Sequence, residues 1–178
     1  MPKFFQLKAG DDQAKHPVQW PGWFLRYYNG NGNTYHRFRS PNVNYDGPLT
    51  DLLYCEEGWL LGSAKLRDTL KAHKLDEEVV HFHPVEVHAG DQTETYFLIH
   101  FPYRRPAYKW ARWQYDDEHN FIKQPPLDED IVEDWRVFCP FHRHKGYAHV
   151  VVIHEKVKSA LEQAALTGLA FEKQHVDD

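Results

Sequence analysis

The sequence predicts an α+β fold: one domain over residues 1–178, with a mixed or antiparallel sheet and few helices. Three observations carry this expectation. Short apolar runs of strand character are interleaved with two amphipathic stretches of helical period. Both stretches sit in the same local order of strand, helix and strand, at residues 59–87 and 150–173. No linker divides the chain, and 178 residues suffice for one core but are marginal for two.

Taken in order, Phe4–Leu7 reads as an opening strand and Gly10–Gly22, with Pro17 and Pro21, as a loop. Trp23–Tyr28 reads as a strand stopped by Asn29-Gly30-Asn31-Gly32-Asn33, residues that tolerate positive φ. Arg37–Pro48 reads as irregular, and Leu49–Glu57 as holding a short helical turn. The first strand–helix–strand unit follows, with Ser63 as the helix N-cap. Gly90-Asp91 marks a hairpin turn before a strand at Thr95–Phe101, which Pro102 closes. Residues 103–128 mix rings, charges and Pro125-Pro126 without a period. Ile131–Phe138 alternates as a strand does, with Val132, Trp135 and Val137 apolar.

The second unit opens on a buried strand, Val150–Ile153. Its helix puts Val157, Leu161 and Ala165 on one face, with Lys156, Lys158, Glu162 and Gln163 mostly off it. Thr167-Gly168 should end the helix, and Leu169–Phe171 starts a strand. Setting Ser63 on His154 aligns the two units: Lys65 with Lys156, Leu66 with Val157, Leu70 with Leu161, Leu75 with Leu166. Phe82 meets Phe171 if the first unit has two extra residues in its turn. The match reads as one packing unit made twice more than as proof of duplication.

The closing pattern is an apolar strand, then x-E-K-[hydrophobic]-K-x-[AS]-L-E-x-A-x-L-T-G-x-x-F, carried here by His154 to Phe171. It resembles the C-terminus of a family of bacterial polymorphic-toxin immunity proteins, antidotes to type VI or contact-dependent effectors. The segments Phe82-His83-Pro84-Val85-Glu86-Val87 and Tyr96-Phe97-Leu98-Ile99 are similar to that family as well, so the likeness covers roughly the last two thirds of the chain. Where the family carries an Asp- and Ser-bearing segment, this chain has Tyr103-Arg104-Arg105-Pro106-Ala107-Tyr108-Lys109-Trp110. The resemblance implies a cytoplasmic protein without catalysis or cofactor that binds and neutralises a toxin.

Composition is compatible with that expectation. No run of ~18 apolar residues suggests a membrane span, and the N-terminus lacks the apolar stretch of a secretion signal. Two cysteines, Cys55 and Cys139, are too few for a disulfide scaffold, so a reduced compartment is expected. The formal net charge of −5 is unevenly distributed. Residues 1–110 balance 13 bases with 13 acids, whereas residues 111–178 hold 8 bases and 13 acids. Asp116, Asp117, Glu118, Asp128, Glu129, Asp130, Glu133 and Asp134 face a single base, Lys123, in the same stretch. Most acidic runs are solvated faces. Under the immunity resemblance they become the candidate surface for a basic toxin, for instance a nuclease, with Trp135 and the rings of Tyr108, Trp110, Trp113 and Tyr115 as anchors. Self-association into a homodimer is left open.

Two rival readings come from other residues. His81 and His83 would share one strand face, as metal ligands on a sheet must, with Glu86 and His88 nearby. Glu86 comes too soon after them, Pro84 should interrupt the strand, and no glycine-rich barrel pattern is present, which favours two histidines in a half-exposed strand over a metal-dependent hydrolase. Cys139, His142 and His144 lack a second ligand pair at zinc-knuckle spacing and read as a polar turn. The basic-aromatic run Tyr103-Arg104-Arg105-Pro-Ala-Tyr108-Lys109-Trp110-Ala-Arg112-Trp113 resembles a surface that stacks bases. The acids that follow would repel phosphate, so internal pairing ranks first, a protein contact second, and nucleic acid last. No phosphate loop or nucleophile elbow occurs.

Overall fold

A computed structural model describes residues 2–20, 41–55, 58–109, 114–115, 121–123, 125–140 and 150–177. The expected strand at Trp23–Tyr28, the Asn/Gly run after it and the turn at 141–146 lie outside these residues. The fold is α+β, as the sequence predicts, and its centre is the twice-used unit.

The second unit forms sheet 2. Its strands are β1 (Phe4–Ala9), β10 (Val137–Phe138), β11 (Val151–His154) and β12 (Leu169–Lys173), in the order β10-β11-β1-β12. Helix α4 (Glu155–Gln163) connects β11 to β12. These two strands are not neighbours, because β1, from the start of the chain, lies between them, antiparallel to both. This is a split βαβ arrangement.

The first unit repeats the arrangement in sheet 1. Strands β2 (Asn42–Asn44), β3 (Leu52–Tyr54), β4 (Leu60–Gly62), β5 (His81–Ala89) and β6 (Gln92–His100) stand in the order β2-β5-β6-β4-β3. Helix α2 (Ala64–His73) joins β4 to β5, and β6 is inserted between them, antiparallel to both. The order β3-β4-β6-β5 therefore corresponds to β10-β11-β1-β12.

The correspondence holds residue by residue. Leu61 pairs with Leu98 as Val152 pairs with Gln6, and Ile99 pairs with Phe82 as Leu7 pairs with Phe171. Leu66 and Leu70 of α2 and Val157 and Leu161 of α4 are all buried, in the predicted register. Ser63 caps α2 by accepting from Leu66 N (3.1 Å), and His154 caps α4 by accepting from Lys156 N through Nδ1 (3.1 Å). Lys158 lies 5.2 Å from the rings of both Phe5 and Phe171, while Arg67 lies 4.1 Å from the equivalent Phe97 and Lys71 lies 5.5 Å from Phe82. The aliphatic stems of these cations cover the ring faces, and their charges stay near water.

One core cluster joins the units. It gathers Leu66, Leu70, Val157 and Leu161 with Leu7, Leu52, Leu60, Ile99, Val137 and Ile153 of both sheets. A second cluster covers the other face of sheet 1 with Val18, Trp20, Val43 and Tyr45 over Val85, Val87 and Leu98. A third covers the other face of sheet 2, where Ala107, Tyr108, Leu127 and Val132 pack on Phe4, Phe138 and Val152.

The remaining elements are short: α1 (Asp11–Ala14), the β7 (Gln114–Tyr115) and β8 (Phe121–Lys123) pair, β9 (Leu127–Asp128), α3 (Glu129–Val132) and β13 (Val176–Asp177), which pairs with β9.

Several sequence expectations are corrected. Leu49–Glu57 holds strand β3 at Leu52–Tyr54, with Leu52 and Leu53 buried on opposite faces of it, and Glu56 and Glu57 lie outside the described residues. Ile131–Phe138 is not one strand: it starts in α3 and only Val137 and Phe138 are extended. The loop after β1 contains α1. Helix α4 ends at Gln163, well before Gly168, because Ala165 already takes a left-handed conformation (φ 49°). Pro84 does not interrupt β5; it pairs opposite Phe97. On its other side, among the described residues, β2 pairs with Glu86–His88.

Candidate functional site

The β5–β6 hairpin brings three histidines together. Its two-residue turn, Gly90-Asp91, has Gly90 at φ 57°, as the first position of a type II′ turn demands. The turn fixes the pairing, Ala89 with Gln92, Glu86 with Thr95, and His81 with His100. His83 follows His81 on the same face, so three imidazoles stand on adjoining strands. One ring nitrogen from each can be chosen so that all three lie within 4.8 Å of one another. The ring centroids are 5.6–5.8 Å apart.

The trio faces away from α2, in line with the buried Val85 and Val87 of β5. His100 forms the floor, 2% exposed, with the Trp59 ring 6.2 Å away. His83 is half-buried and His81 is exposed. Burial pushes the His100 imidazole down to about 3, helped by His83, His81 and Arg104 nearby. Burial likewise lowers His83, with His81 adding to the effect. Both therefore present neutral rings at neutral pH, the protonation state in which an imidazole nitrogen has a lone pair to give.

His100 was not among the sequence candidates. The signal was present, because a two-residue turn at 90–91 dictates which residue lies opposite His81. Glu86 and His88, grouped with His81 and His83 by proximity in sequence, alternate onto the opposite face, where His88 Nδ1 meets Thr93 Oγ1 at 2.9 Å.

The acidic segment divides between described and undescribed residues. Asp116, Asp117, Glu118, Trp110 and Trp113 lie outside the described residues. Asp128, Glu129, Asp130, Glu133 and Asp134 surround α3. Asp130, Glu133 and Asp134 point into solvent, and no ion pair or side-chain hydrogen bond within the described residues engages them. Ile131 beside them is 37% exposed. Trp135 is half-buried, edge-on to Phe138 at 5.0 Å, and its ring lies 5.2 Å from the Arg105 guanidinium.

Residues 103–109 of the basic-aromatic run are described, and they bond to neighbouring segments through the backbone. Asp128 N donates to Ala107 O (2.9 Å), Lys109 N to Pro126 O (3.1 Å) and Arg105 N to Cys139 O (2.9 Å). Tyr108 is fully buried in the cluster over sheet 2. Arg105 packs on Trp135 and reaches Glu77 O at 3.5 Å.

The cysteines are both free and buried. Burial raises the Cys55 thiol well above its usual value and pushes Cys139 up to about 11. Neither is a ready thiolate at neutral pH. His142 and His144, the partners considered for Cys139, lie outside the described residues.

No protein-family model matches the chain, and no curated protein matches it significantly. No helix among the described residues is long and apolar enough to cross a membrane.

Proposed function

We propose that the protein is a cytoplasmic immunity protein, an antidote that binds a basic antibacterial effector, such as a nuclease, and occludes its active site. The observation that carries this reading is the exposed carboxylate group of Asp130, Glu133 and Asp134 around Ile131, which is not consumed by ion pairs among the described residues. Such a surface attracts a basic protein from a distance and offers an apolar contact on arrival. The resemblance of His154–Phe171 to the immunity family supplies the class of partner, and the packed strand–helix–strand unit made by those residues supports it. The protein contributes binding and no chemistry of its own.

The test uses the gene neighbourhood. The C-terminal domain of the adjacent upstream reading frame is expressed in a bacterial host with and without this protein, and survival is followed. The expected result is killing by the neighbour alone, rescue by co-expression, and a complex that co-purifies. Toxicity that this protein does not relieve would remove the antidote reading.

A further inference from the structure

We infer that His81, His83 and His100 form a binding site for a divalent transition metal of the zinc class. The site is independent of the antidote reading.

The backbone accounts for the convergence. His81 and His100 are directly opposed across an antiparallel ladder, and His83 is the next residue on the same face of β5. Three donor nitrogens already lie within 4.8 Å of one another. Around a tetrahedral zinc with nitrogen bonds of 2.0–2.1 Å, the donors stand about 3.4 Å apart. Closing the difference asks for side-chain rotation only, since the χ2 torsion of histidine has a broad well. Three imidazole nitrogens suit Zn, Co, Ni or Cu and do not suit Mg or Ca, which require oxygen.

Comparison of the two units shows that the fold does not call for histidines at these places. In sheet 2 the equivalents of His100, His81 and His83 are Lys8, Ala170 and Glu172. There Lys8 and Glu172 form an ion pair across the strands. The same scaffold thus carries an ordinary surface pair in one unit and three convergent imidazoles in the other. The burial gradient also fits an ion site. His100 is shielded beneath Trp59, whereas His81 is open to solvent, so a metal can enter from the His81 side and keep a water or anion as its fourth ligand.

The experiment uses the full chain without an affinity tag, stripped with a chelator and titrated with Zn²⁺ and with Co²⁺. One equivalent of ion is expected, with the visible absorption of tetrahedral Co²⁺ and an upward shift in Tm. His81→Ala is the diagnostic variant, because that side chain is exposed and its loss leaves the core intact. Affinity should fall at least about tenfold, the smallest effect expected from disturbing a metal's surroundings. His88→Ala, on the opposite face of β5, should bind as the unaltered protein does. Absence of stoichiometric binding would overturn the inference. So would binding that survives His81→Ala, and so would binding abolished by His142→Ala with His144→Ala but not by His81→Ala.

Discussion

Asp51 and Arg136 occupy the same place in the two units, and each ties its own unit to the other. The Asp51 carbonyl accepts from Ser63 N at 2.8 Å, and the Arg136 carbonyl accepts from His154 N at 2.8 Å. These are the N-cap residues of α2 and α4. Across the units the contacts are reciprocal. The Asp51 carboxylate accepts from Thr167 N (2.9 Å) and Thr167 Oγ1 (3.2 Å), just beyond α4. Arg136 N in turn donates to Glu78 Oε1 (2.5 Å), just beyond α2. Glu78 is 5% exposed and also accepts from Val137 N (3.1 Å) and Leu75 N (2.7 Å). Glu78→Ala would leave three backbone donors without their acceptor, at about 1–3 kcal/mol for each one that water cannot reach. A loss of roughly 3 kcal/mol is expected by urea denaturation. Asp51→Ala, at a half-exposed site, should cost about 1–2 kcal/mol. A Glu78→Ala chain as stable as the parent would mean that the clasp contributes nothing.

Gly168 and Ala165 make an opposed pair of predictions. Both have positive φ, 77° and 49°. A Cβ on Gly168 would come within 2.9 Å of Leu52 O and overlap Thr50. Strain and collision together should make Gly168→Ala destabilising by at least about 2 kcal/mol. Ala165 is exposed and bears the left-handed penalty with its Cβ in place. Ala165→Gly relieves that strain but loosens the unfolded chain, so a net gain of about 0.5–1 kcal/mol is expected. Thermal unfolding of both variants checks the signs.

The helical register was legible because Leu66, Leu70, Val157 and Leu161 are spaced by the helix period and lie on one buried face. Strand β3 was not, because Leu52-Leu53-Tyr54 is buried on both faces and a short apolar run has no period to display. The stretch from Ile131 to Phe138 misled for a related reason: Val132 and Val137 are both buried, but Val132 faces the core from a helical turn. The end of α4 was set one turn too late because Ala165 carries a conformation that sequence rules assign to glycine. His100 was missed because a site built across strands is visible only once the pairing is known.

His154 predicts a pH response. Its Nδ1 accepts the capping bond of α4, which requires the unprotonated ring. Burial holds its pKa below the ordinary 6.5, with Lys156 and Arg136 acting in the same direction and Glu155 against it. Above pH 6.5 the ring is neutral in both folded and unfolded chains, and the cap is fully present. As pH falls below 6.5 the unfolded chain takes up the proton first, so stability declines with acidification. His154→Asn keeps a side-chain acceptor at the cap and cannot titrate. Urea denaturation at pH 7 and at pH 5 should show a smaller loss for the variant than for the parent. Equal losses would assign the acid response to other groups.

The surface at α3 is tested by charge removal without loss of shape. Asp130→Asn, Glu133→Gln and Asp134→Asn replace exposed side chains that make no ion pair among the described residues. Each should change stability by no more than about 0.5 kcal/mol, as surface substitutions do. If the partner is basic and steered by this surface, the combined variant should associate more slowly, with dissociation less affected, because exposed charges act mainly on encounter. The dependence of the association rate on salt should flatten at the same time, since long-range attraction is what salt screens. Stopped-flow association across a range of ionic strength measures both. An unchanged rate with an unchanged salt slope would exclude Asp130, Glu133 and Asp134 from capture. The search would then move to another face of the molecule, with the antidote reading itself left to the survival assay.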